Sequence, residues 1–126
     1  MAHILLVDDD LHIRNVFGEW LEKAGHTVSM AENGTAALAS LDKHRFDVLL
    51  LDIVMPDHDG FEIILRLANR EERPEIIVMT GGSARLNLDF IVSVSRQLPV
   101  ADILIKPFGY DALKTAIDKA LQQLSP

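Results

Sequence analysis

Polar residues directly follow four short apolar stretches of the chain, and their types suit one kind of chemistry. In chain order they are Asp8 and Asp9, Asp52, Thr80 and Lys106. Carboxylates that share a crevice repel one another, and a hard divalent cation removes that repulsion. Oxygen ligands, in a chain without cysteine, favour Mg²⁺ over zinc. A nucleophilic carboxylate, a metal ion, a lysine and a hydroxyl can together accept a phosphoryl group.

Asp52 closes the apolar run 48–51. A short run of this kind, bounded by turn residues, is typical of a strand buried on both faces. A carboxylate at the end of a buried strand is costly unless a partner lies close to it. Pro56 then interrupts strand pairing, and Gly60 allows a helix to begin. The alternative interpretation is that Asp52 only caps a turn.

Five apolar stretches alternate with five segments of helical periodicity. The spacing predicts strands over 3–7, 26–31, 46–51, 75–79 and 101–105, and helices over 11–24, 34–44, 61–68, 84–98 and 110–123. Alternation of this kind indicates the α/β class, with a parallel sheet covered by helices on both faces. A parallel sheet brings the carboxyl ends of its strands to one edge, so the polar residues above can meet there.

The composition excludes several classes of function. The 126 residues suffice for one domain, 1–126, with an ordinary core. A formal net charge of −7 argues against direct binding to nucleic acid or to an anionic membrane. The apolar runs are far shorter than the roughly 20 residues that span a bilayer. The beginning of the chain also lacks the basic residues of a signal peptide, so we expect a cytoplasmic location.

Four motifs resemble the receiver domains of two-component response regulators. They are the stretches 4–10, 50–56 with Asp59 and Gly60, 79–81 and 105–108, whose sequences read ILLVDDD, LLDIVMP, MTG and IKPF. They span the chain almost end to end and occur in the order typical of the family. The resemblance implies a flavodoxin-like (βα)5 fold, a doubly wound parallel sheet with strand order 2-1-3-4-5.

The resemblance also implies a role for each matching residue. Asp52 is the expected phosphoacceptor, which takes its phosphoryl group from a phosphohistidine. Asp9, Asp52 and the backbone carbonyl of Val54 are the expected Mg²⁺ ligands, and Asp8 supports the metal through water. Lys106 is expected to pair with Asp52 and then with the phosphoryl oxygens. Thr80 is expected to hydrogen-bond the phosphoryl group.

The implied partners are a sensor histidine kinase or a histidine phosphotransfer protein, and a downstream protein target. The output surface in such domains is usually the fourth helix, the fifth strand and the fifth helix. The resemblance is compatible with two assembly states, a monomer and a phosphorylation-dependent dimer. No output domain is predicted after the last helix, so a single-domain regulator and a part of a longer regulator both stay open.

Three features depart from the family or set its kinetics. Ile103 occupies the position, three residues before Lys106, where the family usually has Tyr or Phe. The stretch between Thr80 and Lys106 is longer than is common, which predicts a remodelled fourth helix. Val54 and Gly82, the residues expected to flank the phosphoryl group, cannot orient an attacking water, which predicts slow loss of phosphate.

Three other functions compete with this interpretation. One is a phosphorelay intermediate that passes phosphate from Asp52 to a histidine phosphotransfer protein. Another is an aspartate-nucleophile phosphohydrolase of the haloacid dehalogenase type, in which Asp8 would be the nucleophile. The third is an interaction module that accepts no phosphate, against which the complete set of acids, threonine and lysine argues.

Overall fold

A computed structural model describes residues 2–53, 60–81 and 99–124, with the side chains of Phe61 and Leu124 excepted. The strands are β1 (His3–Val7), β2 (Thr27–Ala31), β3 (Val48–Asp52), β4 (Glu75–Thr80) and β5 (Val100–Ile105). The helices are α1 (Leu11–Lys23), α2 (Gly34–Lys43), α3 (Gly60–Ala68) and a C-terminal helix (Tyr110–Leu124). Among these described helices, none is both long and apolar enough to cross a membrane.

The strands form one sheet in the order β2-β1-β3-β4-β5, and every pair of neighbours is parallel. The predicted doubly wound, flavodoxin-like arrangement is therefore confirmed. The order changes direction between β1 and β3, and the crevice at such a switch point is where open α/β sheets bind ligands. The carboxyl ends of β1 and β3 carry Asp8 and Asp52 to this point.

Each face of the sheet packs against two of the described helices. Alternate side chains of β1 and β3, among them Leu5 and Leu49, pack with α2 and α3. The intervening side chains, among them Leu6 and Leu50, pack with α1 and the C-terminal helix. These four side chains are 0% exposed, as expected for central strands of a sheet that is covered on both faces.

Local sequence sets the ends of the first helices. The Asp10 side chain accepts hydrogen bonds from the backbone N–H groups of His12 and Ile13 at the start of α1. Gly25 follows the end of α1 with φ of 95°, a conformation that glycine adopts without strain. The Asn33 side chain caps α2 in the same way as Asp10 caps α1.

Several boundaries differ from the sequence prediction. β3 begins at Val48, two residues later than predicted, because the Asp47 carboxylate accepts the His3 N–H before regular strand pairing starts. β4 extends through Thr80, and β3 includes Asp52. β5 carries an irregularity near its start, where Ala101 is left without a partner on β4. The predicted helix over 84–98 lies outside the described residues.

Candidate functional site

Asp8 lies at the end of β1, is 1% exposed, and has a partner for each of its polar groups. Its backbone N–H donates to the Ala31 carbonyl at 3.2 Å, and its carbonyl accepts from Arg14 Nη1 at 2.7 Å. Its Oδ1 accepts from the Asp10 N–H at 3.0 Å, and its Oδ2 accepts from Lys106 Nζ at 2.6 Å. A buried carboxylate satisfied in this way is held in one orientation.

Asp52 occupies the last position of β3, opposite Met79 of β4. The residue is 6% exposed, and Lys106 Nζ lies 3.5 Å from its Oδ2. The residue that follows, Ile53, donates its N–H to the Met79 carbonyl, which continues the sheet pairing past the carboxylate. Asp52 is thus a nearly buried acid at the strand end, with a cation beside it.

Lys106 forms the expected ion pair with Asp52 and a second, shorter one with Asp8. Its ammonium is closer to Asp8 (2.6 Å) than to Asp52 (3.5 Å), so Asp8 is the main partner in this structure. Burial by itself would lower the pKa of Lys106. The hydrogen bond to Asp8 and the charges of Asp52 and Asp8 outweigh that effect and raise the pKa above its ordinary value. The ammonium is therefore fully charged at neutral pH.

Asp8, Asp9 and Asp52 could hold a metal ion together. Each offers one carboxylate oxygen, and these oxygens lie within 4.8 Å of one another. The set consists of oxygen ligands only, which suits Mg²⁺ or another hard divalent cation. Asp9 is exposed at this site, while Asp8 and Asp52 are buried. An ion there would face solvent on one side, where a phosphodonor could approach.

Thr80 lies at the end of β4, beside β5. The residue is 1% exposed, and its hydroxyl has no hydrogen-bond partner among the described residues. Its backbone carbonyl accepts the Lys106 N–H at 2.8 Å, so the two residues are tied together at the same edge. A buried hydroxyl without a partner is uncommon, and it is available to a ligand oxygen.

Three other residues singled out in the sequence differ in whether the structure describes them. Val54 and Gly82 lie outside it. Ile103 lies inside, pairs with Val78 of β4, and packs against the core beneath α2 and α3. The position that usually carries an aromatic ring is therefore filled by a partly buried aliphatic side chain.

Aromatic side chains support the turn that carries Lys106. The Lys106–Pro107 peptide bond is cis. Phe108 then stacks on Phe17 of α1, with ring centroids 4.8 Å apart, and Phe17 stacks on Trp20 at 5.2 Å. The turn is thereby packed against α1.

Sequence reasoning missed Arg14, which holds the Asp8 carbonyl. One signal was present, because Arg14 lies close to the amino end of α1, where the helix dipole disfavours a cation. A cation at such a position needs another reason to be there. The hydrogen bond to Asp8 supplies that reason.

Comparison with known proteins settles the family. The family model described as the response regulator receiver domain matches residues 4–118. This chain belongs to that family. As a receiver domain, it is a signalling phosphoacceptor and not an enzyme in the usual sense. This membership gives no support to the alternative of an aspartate-nucleophile phosphohydrolase that uses Asp8.

The receiver domain is similar to several small proteins over nearly their whole length. It is 37% identical to sporulation initiation phosphotransferase F of Bacillus subtilis over 94% of this chain and 92% of that protein. It is 38% identical to the response regulator receiver protein CpdR of Brucella abortus over 96% and 98%. The structure of TrrA from Thermotoga maritima, in complex with Mg²⁺-BeF, superposes with a TM-score of 0.78 at 30% identity, covering 95% of this chain and 99% of that one.

The domain also matches parts of larger proteins. It is 36% identical to transcription factor SKN7 of Saccharomyces cerevisiae over 98% of this chain, which spans 19% of that protein. Receiver domains thus occur both nearly alone and within longer chains, and the similarity extends to both kinds.

Proposed function

We propose that Asp52 accepts a phosphoryl group from the phosphohistidine of a sensor histidine kinase or of a histidine phosphotransfer protein. The observation that carries this proposal is the arrangement at the carboxyl edge of the sheet. Three carboxylates each offer an oxygen within 4.8 Å of the others, a lysine contacts two of them, and the buried hydroxyl of Thr80 ends the neighbouring strand β4. We assign this role to a single receiver domain that extends over residues 1–126.

Mg²⁺ is the metal that we propose for the site. Asp9, Asp52 and the backbone carbonyl of Val54 would hold it, and Asp8 would support it from the buried side. When bound, Mg²⁺ neutralises charge on the phosphoryl oxygens. The donor set supports this choice, and so does TrrA, a relative whose structure is a complex with Mg²⁺-BeF.

Lys106 and Thr80 would act on the transferred group. Lys106 already lies 3.5 Å from Asp52, so a small movement away from Asp8 would bring its ammonium to a phosphoryl oxygen. Thr80 would donate its hydroxyl, which now has no partner among the described residues. Both groups would stabilise charge that is absent before the phosphoryl group arrives.

Phosphorylation would then change contacts with a downstream protein, in the cytoplasm and without direct binding to nucleic acid or to a membrane. The net charge of −7 supports the last two points. Transfer onward to a histidine phosphotransfer protein is a second candidate. It is favoured by the similarity to a small protein named a phosphotransferase, of which the chain spans 92%. The proposed assembly is a monomer or a phosphorylation-dependent dimer.

Intact mass after incubation with acetyl phosphate and Mg²⁺ tests the proposal. We expect a phosphoryl adduct on the wild-type chain and none on Asp52→Asn. Asp47→Asn is the matched control, because Asp47 lies at the opposite end of β3 and should leave the adduct in place. An adduct that persists on Asp52→Asn would refute Asp52 as the acceptor.

The same samples test the lifetime of the phosphoryl group. Val54 and Gly82 cannot position a water molecule for attack on the phosphoryl group. Because this acid–base help is absent, we expect the phosphoryl group to be lost over hours rather than seconds. Val54→Glu should shorten the lifetime, because a carboxylate can position water. A wild-type half-life of seconds in the absence of any phosphatase would contradict the argument.

A further inference from the structure

Arg14, within the part of the chain that the structure describes, makes a contact near the acidic site that no predicted role explains. It lies in the second turn of α1, and its side chain runs back past the amino end of the helix to Asp8. Nη1 donates to the Asp8 carbonyl at 2.7 Å, a short hydrogen bond from a charged group. A cation at the amino end of a helix opposes the helix dipole, so the helix itself gains nothing from it.

The contact fixes the turn that carries the acids. Asp8 makes three other hydrogen bonds. Its N–H donates to β2, its Oδ1 accepts from the Asp10 N–H in the turn, and its Oδ2 accepts from Lys106. The carbonyl of Asp8 is the remaining polar group, and Arg14 holds it. Asp9 follows directly and is exposed, so its carboxylate is placed by the backbone of this turn more than by packing.

We propose that Arg14 is a positioning residue for magnesium binding and phosphotransfer in this domain. By holding the Asp8 carbonyl it keeps the backbone between Asp8 and Asp10 in one conformation, which sets the direction of the Asp9 carboxylate relative to Asp52. This inference rests on the proposed function of the site. It adds that the metal site is set up by α1 as well as by the strands.

Two physical effects of Arg14 oppose each other, and they can be separated. As a cation, Arg14 repels Mg²⁺, so its removal would tighten binding. As a clamp, it preorganises the ligands, so its removal would weaken binding. We expect the clamp to dominate, because the guanidinium is bound to a backbone carbonyl, is partly exposed, and is therefore screened by solvent.

The test measures Mg²⁺ binding by calorimetry, with no phosphodonor, on wild type, Arg14→Met and Arg14→Lys. We expect Arg14→Met to weaken Mg²⁺ binding by about tenfold, the low end for residues that orient metal ligands. Arg14→Lys keeps a charged donor and should recover most of the affinity. Arg66→Met is the matched control, since Arg66 pairs with Glu62 on the exposed side of α3.

Phosphorylation kinetics provide the second measurement. For Arg14→Met, the Mg²⁺ concentration at half-maximal rate should rise about tenfold, while the rate at saturating Mg²⁺ stays close to that of wild type. Urea unfolding of each variant identifies a general loss of stability, which would lower the saturated rate and leave the Mg²⁺ requirement unchanged.

The outcomes separate the inference from the proposed function. Unchanged or tighter Mg²⁺ binding by Arg14→Met, with a wild-type chain that binds Mg²⁺ and is phosphorylated, would overturn the positioning role alone. A loss confined to the saturated rate would also overturn it. A wild-type chain that binds no Mg²⁺ would overturn the proposed function and, with it, this inference.

Discussion

Removing the ammonium of Lys106 should destabilise the metal-free protein by an amount that the structure bounds. Lys106→Met removes the ammonium that contacts the buried side chains of both Asp8 (1% exposed) and Asp52 (8% exposed). Deleting one partner of a buried ion pair costs about 3–5 kcal/mol. Because the Lys106 side chain is itself 19% exposed, we expect the low end, about 3 kcal/mol of unfolding free energy.

Mg²⁺ should reduce this defect. Lys106 competes with the metal for the same carboxylates, so Lys106→Met should bind Mg²⁺ about tenfold more tightly than wild type, which is equivalent to about 1.4 kcal/mol. By linkage, saturating Mg²⁺ then narrows the stability difference from about 3 to roughly 1.6 kcal/mol. The expected change in affinity is opposite in sign to that of Arg14→Met, because Lys106 contacts the carboxylates and Arg14 contacts the backbone.

Urea unfolding with and without Mg²⁺ measures both quantities. Lys114→Met is the control, since Lys114 and Asp118 form an ion pair whose side chains are about half exposed. Exposed pairs of this kind contribute within about 1 kcal/mol, so the control should change little. A metal-free loss below about 1 kcal/mol for Lys106→Met, or a loss that Mg²⁺ leaves unchanged, would refute the reasoning.

Three further predictions concern pH and backbone packing. The pKa of Lys106 is raised in the folded state, so the charged side chain stabilises the fold fully when the pH is below the ordinary value of 10.5. This stabilisation should be lost as the pH rises through the folded-state pKa. Urea midpoints at alkaline pH should show the loss in wild type and not in Lys106→Met. Burial, and then the positive amino terminus, lower the pKa of His26 in the folded state. The free energy of unfolding should therefore decline as the pH falls below 6.5, the ordinary pKa of histidine. The urea midpoint of His26→Gln should depend less on pH over this range. Gly60→Ala would place a Cβ 2.7 Å from the backbone of Ile53 and should cost about 1–3 kcal/mol in urea unfolding, whereas Gly109→Ala, with open space around it, should cost less; equal losses would contradict this.

Much of this protein could be predicted from short-range patterns in its sequence. The apolar runs and the helical periodicity predicted the five parallel strands and the helices beside them, because burial on both faces demands continuous apolar residues in a strand. The capping roles of Asp10 and Asn33 are local in the same sense, since each side chain binds only the next two or three residues. The acids, Thr80 and Lys106 were assigned to one edge of the sheet, because the carboxyl ends of all its parallel strands lie at that edge.

Contacts between distant segments required the tertiary structure. Nothing in the residue pattern indicates that Lys106 lies closer to Asp8 than to Asp52, since that preference depends on how the turn after β5 packs against α1 through Phe108.

The hydrogen bond from Arg14 to the Asp8 carbonyl likewise depends on the angle at which α1 leaves the sheet. Residue types and spacing therefore determined which groups could accept a phosphoryl group. Only the packing of the helices on the sheet decided which of those groups are partners. The distances from Lys106 Nζ to the nearest oxygens of Asp8 and Asp52 differ by about one ångström, and a difference of that size is set by the whole fold.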